Sequence, residues 1–180
     1  MQKTKNSWIK NPINTRIIAK DKFRDEEYAV LRKVLEDAGA SVTVASSSFD
    51  GATGMLVMEV NPDILIGNVI AGDREGIVFV GGGGVKEYFD CPSAHALARS
   101  FFEHGKLTWA ICIDPPTLAN AGVLKDRRAT SFPSSEQALR SRGAVVTGDD
   151  VSVDGNIVAG VGPEAARKFG KLLVDVPGAR

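Results

Sequence analysis

Cysteine and histidine are the scarce residues of this chain, with two of each among 180 residues. Two cysteines, Cys91 and Cys112, are too few for a disulfide framework and suit a reducing compartment. Two histidines, His95 and His104, are too few and too scattered for a metal site, so no metal or other cofactor is expected. Charge of either sign is not in excess, with 22 basic residues against 22 acidic ones. No basic stripe stands out, which argues against a nucleic-acid partner. Long apolar runs are missing too. No window approaches the ~20 residues of a membrane span, and Met1–Ser7 lacks the apolar stretch of a signal peptide. A cytoplasmic protein without membrane contact is expected. A chain of this length suits one domain that buries about 70% of its unfolded surface.

What is present alternates. Residues 1–14 are polar and read as an irregular extension, leaving 15–178 as a single domain. The pattern predicts a strand over Arg16–Lys20, a helix over Asp25–Ala38 stopped by Gly39, and a strand over Ser41–Ala45. Gly54–Val60 reads as an excursion strand, and Asp63–Val69 stays ambiguous. Gly76–Val80 is a buried strand that runs into Gly81–Gly84, followed by a helix over 93–104. A strand over Leu107–Ile111 leads to Cys112 and a helix over Pro115–Ala121. Arg128–Phe132 is expected as a strand, Ser134–Arg142 as a helix and Val145–Val146 as a strand. Val151–Val153 and Ile157–Ala159 form a hairpin about Asp154-Gly155, and Pro163–Val174 is a last helix. Strands alternating with helices imply an α/β fold with a mostly parallel sheet covered on both faces. Ligands of such sheets sit outside the carboxyl ends of the strands, where Gly81–Gly84 and Cys112 both fall.

Cys112 stands between a buried strand and a helix opened by Pro115. A sharp turn there exposes the side chain at its apex and aims free N–H groups at it, which favours the nucleophilic thiolate. A small buried packing residue is the alternative. Gly81–Gly84 fit neither G-x-G-x-x-G nor a P-loop, yet their backbone N–H groups and that of Ile113 are suited to an oxyanion hole beside Cys112. Glu27 lies four residues before Leu31 on the stripe Leu31, Val34, Leu35, Ala38, so its carboxylate turns toward the core near the same sheet edge. A buried acid tends to hold its proton and can donate it to a thiolate. Asp25 and Glu26 read instead as first-turn acids serving the helix dipole. His104 ends its helix ~20 Å from the thiol by strand length, and His95 sits on a helix flank, so no Cys-His pair is expected. Asp114 before Pro115 reads as a helix cap, or else as a substrate contact beside Gly83.

With these residues in place, the chain resembles the PfpI-type intracellular protease and parkinsonism-associated deglycase family over residues 16 to about 175. The marks are Phe23-Arg-Asp-Glu-Glu27, Val78-Phe-Val-Gly-Gly82, Ala110-Ile-Cys112 with Pro115, Leu118-Ala-Asn-Ala-Gly-Val-Leu-Lys125, Arg128-Ala-Thr-Ser-Phe-Pro133 and Val153-Asp-Gly-Asn-Ile157. The resemblance implies a flavodoxin-like, glutamine-amidotransferase-like three-layer sandwich forming a homodimer or higher oligomer. It also implies Cys112 as elbow nucleophile, Glu27 as the acid holding its thiolate, and Gly82 with Ile113 as oxyanion donors. Two departures stand out. Peptidase-like members carry His after the Cys and then a small residue, where this chain has Ile113 and Asp114. The deglycase branch has His before the proline, where this chain has Phe132. The expectation is therefore a cysteine enzyme acting on small reactive carbonyls, glyoxalase III-like or deglycase-like. The alternatives are an intracellular peptidase or amidase acting on peptides, and a redox sensor or chaperone-like stress protein without turnover.

Overall fold

The computed structural model describes residues 13–175. Chain order is β1 (Ile13–Ile17), β2 (Asp21–Phe23), α1 (Asp25–Asp37), β3 (Ser41–Ser46), β4 (Ala52–Gly54), β5 (Glu59–Val60), β6 (Ile64–Leu65) and β7 (Gly76–Phe79). Then follow α2 (Pro92–Glu103), β8 (Leu107–Ile111), α3 (Pro115–Asn120), β9 (Arg128–Ala129), α4 (Glu136–Ser141) and β10 (Val145–Val146). The chain closes with β11 (Val151–Asp154), β12 (Ile157–Gly160) and α5 (Ala166–Asp175). Seven strands form the central sheet in the order β11-β12-β8-β7-β1-β3-β6, parallel except for the β11–β12 hairpin. It is a three-layer α/β sandwich.

Side-chain alternation explains why both faces are covered. Ile77, Phe79, Ala110, Ile157 and Ala159 pack with Leu97 and Phe101 of α2, Leu118 of α3 and Leu139 of α4. Their neighbours Val78, Trp109, Ile111 and Val158 turn the other way, onto Leu31 and Leu35 of α1 and Phe169 and Leu173 of α5. Trp109 meets Phe169 edge-on, with ring centroids 5.3 Å apart. Each central strand thus feeds two cores, so β7, β8 and β12 are almost wholly apolar, while β1 carries the buried polar residues Thr15 and Arg16.

Several bounds differ from expectation. β1 begins at Ile13, so Ile13 and Asn14 belong to the sheet rather than to the polar extension, while residues 1–12 lie outside the described residues. The expected excursion strand is two short ones, β4 and β5, which join β2 in a separate three-stranded sheet. Ile64–Leu65 resolves the ambiguous stretch as an edge strand followed by a 3-10 turn. The strand expected over Arg128–Phe132 ends at Ala129, because Phe132 is drawn toward Cys112 instead.

Candidate active site

β8 is buried throughout and delivers Cys112 to the carboxyl edge of the sheet. The residue takes φ +66, a left-handed conformation that strains a side-chain-bearing residue by about 1–3 kcal/mol. Three hydrogen bonds hold the turn. Cys112 N–H donates to the Gly160 carbonyl at 2.9 Å, Phe132 N–H donates to the Cys112 carbonyl at 2.7 Å, and Asp114 N–H donates to the Ile111 carbonyl at 3.3 Å.

The wall opposite is the glycine run after β7. Gly81 N–H donates to Glu27 Oε2 at 2.9 Å, and its carbonyl accepts from Arg24 N–H at 2.7 Å, so the start of α1 and the glycine loop are one unit. A Cβ on Gly81 would lie 2.5 Å from Cys112 Cβ and 2.7 Å from Glu27 Oε2. Only glycine lets the thiol and the carboxyl approach across it. Gly82 has φ +116, and a Cβ there would collide with the Lys22–Arg24 backbone.

Glu27 is 0% exposed, as its place on the apolar stripe of α1 anticipates. Its Oε1 has no conventional hydrogen-bond partner, and the carboxyl interacts with the Cys112 thiol. Burial pushes Glu27 up to about 7, against the lowering effects of Gly81 N–H and the thiol. Burial likewise pushes Cys112 up to about 12, helped by the Glu27 charge, while the Ile113 and Gly82 N–H groups act in the opposite direction. A simple low-pKa thiol, the consequence expected of a helix start, is therefore not what this environment produces. α3 is only six residues long and Cys112 is 7% exposed, so desolvation outweighs the dipole. Both buried acids hold their protons more tightly than they would in water, and Glu27 gives up its proton before the thiol does. A thiol proton passed to the Glu27 carboxylate would leave a thiolate beside the Gly82 and Ile113 N–H groups, the two contacts that favour it.

The thiol opens on a cleft of about 590 Å³. Gly82, Gly83, Cys112 and Ile113 line its floor, and its walls include Arg24, Met55, Phe132, Val161 and Glu164. Sequence reasoning missed most of these walls, since residues from the β2–α1 junction, the β4–β5 loop and the segment after β12 meet only in the fold. One signal was available: Arg24 lies inside the Phe23–Glu27 segment. Asp25 also has a different job from the expected dipole partner. Its Oδ2 and Oδ1 accept the Leu56 and Met58 N–H groups at 2.8 and 2.9 Å, fixing the loop that carries Met55.

Asp114 stands at the expected N-cap position of α3, but its side chain does neither expected job. It makes no side-chain cap to α3 and does not line the cleft. Fully buried, it accepts from the Thr117 hydroxyl through Oδ1, while Oδ2 has no partner, and burial holds its carboxyl well above the usual range. Among the described residues no histidine lines the cleft. The His95 Nε2 lies 2.7 Å from the Phe89 carbonyl and the His104 Nδ1 2.7 Å from the Ser100 carbonyl.

An α/β sandwich that presents a strained cysteine at a strand-to-helix elbow, beside a buried glutamate and a glycine turn, defines a class of proteins. This chain belongs to the DJ-1/PfpI family, whose profile matches residues 15–176. An uncharacterized protein of Methanocaldococcus jannaschii is 36% identical over 165 residues, covering 90% of this chain and 80% of that one. A deglycase of Pyrococcus abyssi is 32% identical over 161 residues, covering 87% and 97%. The crystal structure of a ThiJ/PfpI domain protein from Brachyspira murdochii has a TM-score of 0.90 at 30% identity, covering 92% of this chain and 96% of that one.

Proposed function

We propose that this protein is a cysteine-dependent enzyme acting on small reactive carbonyls, with an α-oxoaldehyde as the simplest substrate. The observation that carries this reading is the contact of the buried Glu27 carboxyl with the Cys112 thiol, beside the Gly82 and Ile113 N–H groups. The deglycase name of the Pyrococcus abyssi relative supports the same chemistry.

In this reading the Cys112 sulfur bonds to the aldehyde carbon, and the carbonyl π pair moves onto oxygen, which the Gly82 and Ile113 N–H groups stabilise. Glu27 passes its proton to that oxygen, giving a hemithioacetal. The Glu27 carboxylate then takes the hydrogen of the former aldehyde carbon as a proton and returns one to the neighbouring carbon, while the hydroxyl proton of the first carbon moves to the oxygen of the second. The product of this shift is a thioester, which water hydrolyses to a 2-hydroxy acid and free thiol. One carbon is oxidised as its neighbour is reduced, so the sum is oxoaldehyde plus water. Peptide cleavage asks for more, because an amine must be protonated as it leaves. A positioned acid usually contributes 10²–10⁴-fold to such a step, and the cleft offers no imidazole for it among the described residues.

The test is methylglyoxal consumption by the purified protein beside its Cys112→Ala variant, with peptide cleavage measured in parallel. Cysteine-dependent consumption with little or no proteolysis is expected. Cysteine-dependent proteolysis without aldehyde consumption would overturn the reading.

A further inference from the structure

The cleft over Cys112 is much larger than the chemistry at its floor requires. Ligand pockets for drug-sized molecules run from about 300 to 1,000 Å³, and this one is about 590 Å³. A three-carbon oxoaldehyde leaves most of that space to water. Phe132 and Met55 border the space, each 44% exposed, with Val161 and Ile113 beside them. Phe132 is held in place, since its N–H donates to the Cys112 carbonyl at 2.7 Å and its own carbonyl accepts from Ser135 N–H at 2.8 Å. Met55 is tied down as well, its N–H donating to the Phe23 carbonyl at 2.9 Å. These are apolar surfaces left open to water on fixed backbone, directly beside the nucleophile.

The charges in the cleft point the same way. Its cation, Arg24, is already paired with Glu26, its Nε 2.9 Å from Glu26 Oε2. Glu164 adds an exposed carboxylate at the rim. Anionic carbonyl compounds therefore meet no free positive partner among these side chains, and one of the charges repels them.

We propose that this site selects neutral α-oxoaldehydes with an aryl or branched alkyl substituent, and that Phe132 is the residue that sets the preference. The inference rests on the function proposed above for its substrate chemistry, but the shape and polarity of the cleft stand apart from turnover. The reacting aldehyde carbon sits against Cys112, and the substituent displaces water from the Phe132 and Met55 surfaces.

The test uses the full chain and its Phe132→Ala variant. With phenylglyoxal against methylglyoxal, kcat/KM of the parent should favour the aryl compound by about 10-fold or more, the range of discrimination one apolar group supplies. Phe132→Ala should cut that ratio several-fold, mainly through KM. A second arm needs no turnover. Alkylation of Cys112 by 2-bromoacetophenone or bromoacetone forms the carbon–sulfur bond and expels bromide, and its rate should show the same aryl preference and the same loss in Phe132→Ala. The rates are referenced to a small free thiol to remove intrinsic reactivity. Equal rates for aryl and methyl reagents after that correction, or a preference unchanged by Phe132→Ala, would overturn the inference while leaving methylglyoxal turnover intact. No aldehyde turnover at all, with the alkylation preference present, would overturn the proposed function and support the cleft's selectivity.

Discussion

The two cysteines occupy sites that look related in sequence: each leads into a helix opened by proline, Cys91 directly before Pro92 and Cys112 three residues before Pro115. Their surroundings differ in every respect that matters for chemistry. Cys91 has ordinary extended backbone, φ −85, and is half-buried, packed on the α2 side of the sheet. Cys112 is bent to φ +66, lies against a buried carboxyl and faces two backbone N–H groups from different loops. A thiol at a helix start is thus only half a nucleophile. The other half arrives from β7 and α1, through Gly81, Gly82 and Glu27.

The largest effect that could break this comparison is on turnover. Cys112→Ala should lower aldehyde consumption by about 10⁴-fold or more, as removal of a nucleophile does, whereas Cys91→Ala should leave it within about twofold. Initial rates on folded protein decide it, and a large loss from Cys91→Ala would make the two sites equivalent.

Glu27 is the next lever. In the folded protein it titrates near 7, above the usual 4.5, so folding favours its protonated form. Its ionisation costs nothing at low pH, grows in cost as pH rises from the unfolded value through 7, and amounts to about 3 kcal/mol above that. Glu27→Gln should therefore raise stability at pH 8 relative to pH 4, visible in denaturant midpoints. The same variant should lose the rise near pH 7 in the Cys112 alkylation rate, since that rise marks ionisation of Glu27, which can then take the thiol proton. A variant that keeps the inflection would assign it to another group.

Gly81 tests the contact itself. With Cys112 Cβ 2.5 Å and the Ile111 carbonyl 2.9 Å from an added Cβ, Gly81→Ala forces the elbow and the glycine loop apart. Overpacking of this kind costs about 1–3 kcal/mol. Gly67→Ala, where a Cβ meets nothing within 4 Å, is the control. Thermal melts of the two should separate, and alkylation of Cys112 should change only in the first.

The sequence alone already showed much of this. The α/β alternation, β8 to the residue, the elbow cysteine and the inward turn of Glu27 all follow from local periodicity, because strands that feed two cores and a helix with one apolar stripe leave a direct pattern. What stayed hidden depends on distant contacts. The strained φ of Cys112 is held by Gly160 and Phe132, and the loop carrying Met55 is held by Asp25. The thiol's upward shift depends on burial under residues from separate segments, which no helix-start argument contains. Asp114 misled for the same reason. An Asp before a Pro reads as a cap, but here its side chain turns into the core.

That turn makes the last and smallest prediction. Asp114 is 0% exposed, Thr117 donates its hydroxyl to Oδ1, and burial, with the charges of Glu27 and Glu87 behind it, disfavours the ionised carboxylate. Asn keeps an acceptor oxygen for Thr117 and removes the acid. Below the unfolded carboxylate range, around pH 4, parent and Asp114→Asn should melt together, because both side chains are neutral in both states. As pH rises, the unfolded parent ionises Asp114 freely while the folded one resists, so the parent loses stability and the variant does not. The gap in melting temperature should open as pH rises through and above the unfolded carboxylate range, in favour of Asn. Turnover should change little beside the effect of Cys112→Ala, because Asp114 lies behind the elbow and not in the cleft. A pH-independent gap would mean that Asp114 is ionised in the folded protein. A turnover loss on the scale of Cys112→Ala would put it at the reacting centre, erasing the distinction between Glu27, which contacts the thiol, and the acid buried behind it.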